Sequence, residues 1–398
     1  MFNRSFSSNK FRNNRHNNRN FGGNRHGGGN RQKIDNAKYV NTANVPTQTE
    51  NHVIIHRFED FAIDARLKQN ISDKGYKTPT PIQDQAIQPI LDGKDIVGIA
   101  NTGTGKTAAF LIPLIDKIIK NHEEKVLIIV PTRELAVQID EEQRAFSKSL
   151  NIHSVLCIGG ASINRQIMEL RRRPKIIIGT PGRLKDLNQR RFLPLPEYKN
   201  IVLDEVDRMV DIGFLHEIKY IISFLPKERQ SLCFSATVSN EVNGIISSFL
   251  KNPVTVAIRQ NEVAPRINQD VIKVRDKNEK MERLQALLKL EEYKKVLIFG
   301  RTKWGVERLS KTLKLNGFAA DSIHGNKSQN QRLRALSMFK QNQLQILVAT
   351  DIASRGLDID DVSHVINFDE PSTYTDYIHR IGRTGRANKS GKALTFVG

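Results

Sequence analysis

Short apolar runs recur along the chain from Phe58 onward, and longer stretches of helical character separate them. Each run holds only a few residues and is rich in isoleucine, leucine and valine, a pattern typical of strands buried in a parallel sheet. The first series is Val126–Val130, Ile176–Ile178, Ile201–Leu203 and Leu232–Phe234, and the second is Val296–Phe299, Ile346–Val348, Val365–Asn367 and Leu394–Val397. Two successive series of alternating strands and helices predict two α/β domains in tandem, each a parallel sheet flanked by helices.

Two polar segments set the predicted domain boundaries. The first 33 residues hold eight lysines or arginines and no acid, so they cannot bury enough apolar surface to offset the entropy of ordering. A second polar stretch, which contains Pro265, separates the two series of strands. We therefore predict a disordered basic tail at 1–50, a first domain at 51–258, a linker at 259–268 and a second domain at 269–398.

The composition indicates a polyanionic partner, because the net charge is +20. In the tail, arginines are interspersed with phenylalanines. The tail can therefore grip phosphates and stack on unpaired bases, or it can serve only as a solubilising segment. Cys157 and Cys233 lie in apolar runs and are predicted to be reduced core residues. No apolar run approaches the roughly 18 residues of a membrane span, so we predict a cytoplasmic protein without membrane contact.

The segment Ala100–Thr107 follows a predicted strand and precedes an apolar helix. A loop in this context can cradle phosphates, because its glycines let backbone N–H groups point at the ligand. Lys106 is expected to pair with the β and γ phosphates of ATP, and Thr107 to hold Mg²⁺ through its hydroxyl. The other residues of the predicted phosphate site are Thr102, Gly103, Thr104 and Gly105. The strict P-loop pattern begins with glycine, whereas this chain has Ala100.

Three acids, Asp204, Glu205 and Asp207, follow the apolar run Ile201–Leu203. They are therefore expected at the C-terminal end of a strand, where open α/β sheets bind their ligands. Asp204 is predicted to hold Mg²⁺, and Glu205 to polarise the attacking water as a general base.

Three further residues extend the predicted nucleotide site. The amide of Gln83 can donate and accept at once, which matches the N6/N7 edge of adenine. Phe58 can stack on the adenine ring, and Asp358 can accept hydrogen bonds from the ribose hydroxyls. Taken singly, Gln83 and Phe58 are also typical of an ordinary turn and an ordinary core residue.

The segment His379–Arg386 carries three arginines with Gly382 and Gly385 between them, and Arg383 lies 277 residues after Lys106. Guanidinium groups such as those of Arg383 and Arg386 stay charged and can bind a γ-phosphate in forked geometry. Arginines of this kind raise the rate of phosphoryl transfer by about 10³-fold or more. Because they belong to the second domain, the site is expected to be complete only when both domains meet.

Ten motif blocks in this order resemble the DEAD-box family of ATP-dependent RNA helicases, over about Phe58 to Val397. The blocks are Pro79–Gln83, Ala100–Thr107, Pro131–Ala136, Gly159–Gly160, Thr180–Arg183, Asp204–Asp207, Ser235–Thr237, Gln329–Arg332, Ala349–Asp358 and His379–Arg386. The resemblance implies two RecA-like domains joined by a flexible linker, with Arg383 and Arg386 as arginine fingers. It also explains Ala100, because this family begins its loop with alanine.

The resemblance further implies an RNA face and a set of coupling residues. The implied RNA-binding residues are Arg133, Gly160, Thr180, Arg183, Gln329, Arg332 and Thr350, and the implied coupling residues are Asp207, Ser235, Thr237 and His379. Hydroxyls, glycine N–H groups and arginines suit phosphates and sugars, so we expect RNA to be bound without sequence preference. Contacts to 2′-hydroxyls would exclude DNA.

The chain departs from the family pattern at two places. Val206 replaces the usual alanine between functional acids, but all three carboxylates remain, so activity is expected to persist. The sequence stops at Gly398, just after a predicted strand, whereas related proteins usually continue. A final helix or a partner-binding tail is therefore expected to be absent.

The resemblance predicts an RNA-dependent ATPase that opens short duplexes locally. ATP and RNA together would close the two domains, and the bent strand would shed its complement. We expect a monomer with RNA as its partner and with proteins of RNA–protein complexes as further candidates. Two rival functions stay open: a clamp that uses ATP to lock onto RNA without unwinding it, and a DNA helicase or translocase.

Overall fold

The computed structural model describes residues 39–40, 54–101, 103–258, 267–354, 359, 361–385 and 390–398. This part of the chain forms two parallel β-sheets, each with an apolar core on both faces. The predicted fold class, two parallel-sheet α/β domains in tandem, is confirmed. None of the described helices combines the length and apolarity that a membrane span needs.

The first sheet has seven strands in the order β3-β4-β2-β5-β6-β1-β7. The strands are β1 Ile96–Ile99, β2 Val126–Ile129, β3 Ser154–Cys157, β4 Ile176–Gly179, β5 Asn200–Leu203, β6 Gln230–Ser235 and β7 Val254–Ala257. Every pairing in this sheet is parallel. Because β5, β6 and β1 are neighbours, the loops that follow them meet at one edge of the sheet.

Nine described helices cover the first sheet. They are α1 Ala65–Asp73, α2 Pro81–Leu91, α3 Lys106–Lys120, α4 Arg133–Phe146, α5 Ile163–Leu170, α6 Pro181–Gln189, α7 Val206–Ile212, α8 Leu215–Phe224 and α9 Asn240–Phe249. Strand residues alternate between the two faces, so that Ile128 packs into one core and Leu127 into the other. Both faces are therefore apolar, which explains the continuous hydrophobic runs in the sequence.

The second sheet has six parallel strands in the order β10-β11-β9-β12-β13-β8. Its strands are β8 Ile267–Lys273, β9 Val296–Phe299, β10 Ala320–Ile323, β11 Ile346–Ala349, β12 His364–Asn367 and β13 Gly391–Val397. Its described helices are α10 Lys277–Leu288, α11 Lys303–Leu315, α12 Gln329–Lys340, α13 Asp351–Ser354 and α14 Tyr374–Ile381.

All eight strands predicted from apolar runs are present, as is β1, which was predicted as the strand before the P-loop, and four further strands were missed. The missed strands are β3, β7, β8 and β10, and each of them lies at the edge of its sheet. An edge strand is covered less completely than a central one, so polar residues such as Ser154 and Asp321 interrupt the apolar pattern. Cys157 and Cys233 are buried and form no disulfide, as predicted for reduced core residues.

Two predictions about the polar segments need correction. The predicted linker 259–268 extends two residues too far, because Ile267 and Asn268 already belong to β8. Of the predicted tail, the structure describes Tyr39 and Val40, and Tyr39 is fully buried, so disorder does not hold at that residue. The rest of the tail and residues 259–266 lie outside the described residues, and the predictions for them stay predictions.

Candidate nucleotide site and nucleic-acid groove

The P-loop follows β1 and leads directly into α3, whose first residue is Lys106. Gly103 and Gly105 adopt left-handed backbone conformations, with φ of 85° and 90°. Only glycine fits at Gly105, because a β-carbon there would lie 2.4 Å from the amide nitrogen of Gln83. The ammonium of Lys106 is buried and donates to the carbonyl of Ala100 at 2.6 Å. The hydroxyl of Thr104 donates to the carbonyl of Asn101 at 2.8 Å.

Gln83 supports this loop from α2. Its side-chain oxygen accepts from the N–H of Thr80 at 2.9 Å, and its side-chain nitrogen donates to the carbonyl of Gly105 at 3.0 Å. Phe58 is buried in the first core, where its ring lies edge-on to that of Tyr76, with 6.1 Å between the ring centroids. The structure thus places Gln83 against the P-loop and Phe58 within the aromatic cluster behind it.

Asp204 and Glu205 follow β5, and both side chains are buried. Glu205 has a φ of 54°, a left-handed conformation that is uncommon for a residue other than glycine and costs roughly 1–3 kcal/mol. This turn separates the end of β5 from the start of α7. The carboxylate of Glu205 accepts a hydrogen bond from Arg208, in the first turn of α7.

The pKa values of the two acids move in opposite directions. Burial raises the pKa of Asp204, although the charge of Lys106 partly offsets that effect. Burial acts on Glu205 as well, but the nearby positive charges outweigh it and lower its pKa. These charges belong to Arg208, Lys106 and Arg383. The carboxylate of Glu205 is therefore ionised at neutral pH and can accept a hydrogen bond or a proton from a water.

The donors around the P-loop fit a nucleotide-bound magnesium ion. Thr107 lies in the first turn of α3, and Asp204 lies at the same edge of the sheet. Both offer oxygen atoms, and Mg²⁺ is usually held by one or two protein oxygens together with phosphates and water. The charge of Lys106 acts on the pKa of both acids, and Lys106 directly precedes Thr107 at the start of α3.

Asp207 joins the acidic turn to the loop after β6. One of its oxygens accepts from the N–H groups of Ala236 and Thr237 at 3.2 and 3.0 Å, and from the hydroxyl of Thr237 at 3.1 Å. The N–H of Asp207 donates to the hydroxyl of Ser235 at 3.3 Å. A shift of the acidic turn would therefore be transmitted directly to Ser235 at the end of β6 and to Thr237 in the loop after it. Val206, beside these groups, is fully buried in the second core of this domain.

Arg383 of the second domain is buried, and its charge is among those that lower the pKa of Glu205. It follows α14, the helix that also carries His379. This helix is anchored by Arg380, whose guanidinium contacts Asp351 at 2.6 and 2.8 Å. Sequence reasoning missed Arg380, although it lies in the same motif block as Arg383. Thr102, Asp358 and Arg386 lie outside the described residues, so their predicted roles stay predictions.

A groove of about 420 Å³ opens between the two domains. Four of the predicted RNA-binding residues line it, together with glycines from both domains: Arg133, Thr180, Arg183, Arg332, Gly159 and Gly325. Gly160 lies against the same arginine as Gly159, since a β-carbon at Gly160 would fall 2.2 Å from Nη1 of Arg133. Arg183 is oriented by Gln166, to which it donates at 2.9 Å.

Glu134 links the two domains at the side of this groove. Its buried carboxylate accepts from Arg332 at 2.8 Å and from the amide of Gln329 at 3.1 Å. Gln329 and Arg332 were predicted to contact RNA, and the structure adds an interdomain contact for both. Sequence reasoning missed Glu134, although it stands within the block Pro131–Ala136. Thr350, at the C-terminal end of β11, is nearly buried.

These features define a class of protein with two α/β domains, in which the first domain carries a P-loop and the charge of an arginine of the second lowers the pKa of Glu205 of the first. Comparison with known proteins identifies the family within this class. Residues 80–245 match the family model described as DEAD/DEAH box helicase, and residues 279–388 match the helicase conserved C-terminal domain. The chain belongs to the DEAD-box helicase family, and the resemblance noted in the sequence is confirmed.

Known relatives agree with this assignment. The chain is 43% identical over 343 residues to the ATP-dependent RNA helicase CshA of Listeria monocytogenes, a match that covers 86% of this chain and 66% of that relative. It is 44% identical over 343 residues to CshA of Limosilactobacillus reuteri, with 86% of this chain and 69% of that one covered. The chain thus spans slightly less than two thirds of the Listeria relative.

A solved structure of similar fold is that of S. cerevisiae Dbp5 bound to RNA and ADP BeF3. The TM-score is 0.76 and the sequence identity is 29%, and the match covers 85% of this chain and 89% of that one.

Proposed function

We propose that this protein is an ATP-dependent RNA helicase, which hydrolyses ATP when RNA is bound and opens short duplexes locally or remodels RNA–protein complexes. The observation that carries the proposal is that both domains contribute to both sites. Arg383 of the second domain acts on Glu205 of the first. Arg332 of the second domain lines the same groove as Arg133 of the first. Because the two sites share one domain boundary, occupation of either site favours closure and so completes the other.

In the nucleotide site, each residue keeps the role that its chemistry suggests. Lys106 would hold the β and γ phosphates, with Gln83 on the adenine edge. Mg²⁺, held through Thr107 and Asp204, would neutralise charge on the phosphates. Glu205 would orient the attacking water and take up its proton, and Arg383 would stabilise the charge that develops as the phosphoryl group is transferred.

In the groove, arginines and a threonine hydroxyl would contact the RNA backbone. Guanidinium groups and hydroxyls recognise phosphates and sugars and carry no base code, so the protein would act on RNA of any sequence. Asp207 would couple the two sites, since its hydrogen bonds to Thr237 and Ser235 connect the acidic turn with the neighbouring loop. That the curated relatives are named as RNA helicases, and that Dbp5 was solved with RNA, supports this reading.

The proposal is tested by measuring ATP hydrolysis with and without single-stranded RNA. We expect RNA to raise the rate strongly, because Arg383 reaches Glu205 only when the domains close. DNA of the same sequence is the matched control and should stimulate hydrolysis far less. Equal hydrolysis with and without RNA would exclude an RNA-dependent ATPase, and equal stimulation by DNA would favour the DNA helicase or translocase.

A strand-release measurement separates the helicase from the clamp. With ATP present, a helicase frees the labelled strand of a short RNA duplex, whereas a clamp binds RNA tightly and releases no strand. The presence of both an ionised Glu205 and a nearby Arg383 favours turnover over locking. Tight ATP-dependent RNA binding without strand release would support the clamp.

Trp304 offers a direct report of RNA binding. It is the only tryptophan of the chain, it lies in the first turn of α11, and 78% of its surface is exposed. The side chain of its neighbour Lys303 lies against Gly325, with its ammonium nitrogen 3.5 Å from where a β-carbon of Gly325 would be, and Gly325 lines the groove. Trp304 thus follows directly a residue that contacts the groove lining, and an exposed aromatic ring is suited to stacking on an unpaired base.

We therefore expect single-stranded RNA to quench the tryptophan emission of the protein in a saturable manner. Trp304→Phe should abolish the signal while leaving RNA affinity, measured by anisotropy of labelled RNA, nearly unchanged. Trp304→Ala should weaken RNA binding, by roughly the 1–3 kcal/mol of one stacked base. Unchanged emission at an RNA concentration that saturates the anisotropy signal would show that Trp304 does not meet the RNA.

A further inference from the structure

Tyr39 precedes the first domain in the sequence but packs on the second. It has no exposed surface, and its ring centroid lies 4.8 Å from that of Tyr377, with an angle of 58° between the rings. The next residue, Val40, is 54% exposed. The ring of Tyr39 is therefore inserted into the second domain, although the composition of the sequence around it is that of a solvated tail.

The surroundings of Tyr39 lie close to the arginine site. Burial raises the pKa of Tyr39 to about 12, and the charges of Glu370 and Arg380 act on it as well. Arg380 is the residue that anchors α14 by its ion pair with Asp351. Tyr39 thus lies next to the anchored side of the helix that leads into Arg383.

Tyr377, the partner of Tyr39, is itself a structural link. It is fully buried in α14, and its hydroxyl donates to Gln269 of β8 at 2.8 Å. Tyr377 therefore connects α14 with the edge strand of the second sheet, and Tyr39 covers this connection. Loss of the Tyr39 ring would leave a cavity against Tyr377, and cavities in a core are only partly refilled by relaxation.

The ring of Tyr39, and not its hydroxyl, makes the contact. Among the described residues the hydroxyl has no hydrogen-bond partner, although it is buried. Aromatic pairs at this separation are held by the shape and charge distribution of the rings. Phenylalanine should therefore replace tyrosine without loss, which distinguishes packing from a hydrogen-bonding or nucleic-acid-binding role.

We propose that Tyr39 is a positioning residue for ATP hydrolysis. Its ring packs on α14 and holds this helix so that Arg383 is presented to Glu205 across the domain boundary. The inference rests on the proposed ATPase activity, and it assigns to this part of the predicted tail a role in the rate of hydrolysis that is separate from RNA binding.

The test compares Tyr39→Ala, Tyr39→Phe and Val40→Ala in the full chain, with wild type measured alongside. Turnover and KM for ATP are measured at saturating RNA, together with RNA affinity and the thermal midpoint. We expect Tyr39→Ala to lower kcat about tenfold or more, because a small misplacement of a group that acts on the transition state is costly. KM for ATP and RNA affinity should change little, since the P-loop and the groove are untouched. Tyr39→Phe and Val40→Ala should match wild type.

A double variant tests whether Tyr39 acts through Arg383. If it does, adding Tyr39→Ala to Arg383→Ala should cause no further loss of kcat, whereas independent effects would multiply. If Tyr39→Ala fails to fold, Tyr39→Leu is measured with the same expectations, because it retains apolar volume and lacks the ring.

Three results would overturn the inference: wild-type kcat in Tyr39→Ala, a multiplicative loss in the double variant, or a loss of RNA affinity with kcat unchanged. An inactive wild type would refute the proposed ATPase instead, and this inference with it.

Discussion

Glu205→Gln should remove almost all ATP hydrolysis while leaving RNA binding intact. The substitution keeps the size of the side chain and an oxygen that can accept from Arg208, but it removes the negative charge and the basicity. General bases contribute about 10²–10⁴-fold to rate, so we expect a loss of kcat in that range. Three positive charges outweigh burial and lower the pKa of Glu205, so the native carboxylate is ionised throughout the neutral range. Glutamine has no group that titrates there, so no choice of neutral pH should restore the variant.

The measurement is steady-state ATP hydrolysis with saturating RNA, together with RNA affinity in the presence of ATP. Glu228→Gln is the matched control, because it makes the same chemical change at an exposed position before β6 and should behave as wild type. A Glu205→Gln protein with more than a tenth of wild-type kcat would show that another group activates the water. The thermal midpoint of unfolding is measured for both variants, because a buried carboxylate among cations also contributes to the stability of the fold.

Arg383→Lys should be nearly as damaging as Arg383→Ala. Lysine keeps the positive charge, but its ammonium lacks the planar fork that binds two oxygens of a phosphate at once. Arginines that stabilise phosphoryl transfer contribute about 10³-fold or more. We expect a loss of that order in kcat for both variants. KM for ATP should change little, because the P-loop in the first domain binds the nucleotide in either case.

Arg275→Lys serves as the control for Arg383→Lys, since it is the same change at an exposed position of the second domain. Hydrolysis without RNA gives a further check. If Arg383 acts only after closure, the RNA-independent rate of the variant should equal that of wild type, and the loss should appear only in the RNA-stimulated rate. A large loss of the RNA-independent rate would mean that Arg383 acts on the first domain at all times.

The sequence identified the nucleotide chemistry because each motif is local. The P-loop occupies eight consecutive residues between a strand and a helix, and the acidic turn occupies four. In both places, the residues that act together are neighbours along the chain, and their conformations are constrained by glycine or by the end of a strand. The left-handed turn at Glu205 is an exception, because nothing in its side chain predicts a positive φ.

The central strands could be predicted for a related reason. A strand covered on both faces needs apolar residues at every position, so it leaves a continuous run in the sequence. The edge strands β3, β7, β8 and β10 are covered less completely and carry polar residues, and these were the strands that the pattern missed.

By itself, the sequence determined the fold class, the P-loop, the acids and the family, because periodicity and local motifs are written into consecutive residues. Only the tertiary structure decided which distant groups meet. Glu134 pairs with Arg332, and Tyr39 packs on Tyr377. Such contacts depend on the order of strands in each sheet and on how the two domains close, which no local pattern encodes. The ion pair forms because a buried charge without a partner is costly, and its partner lies far along the chain.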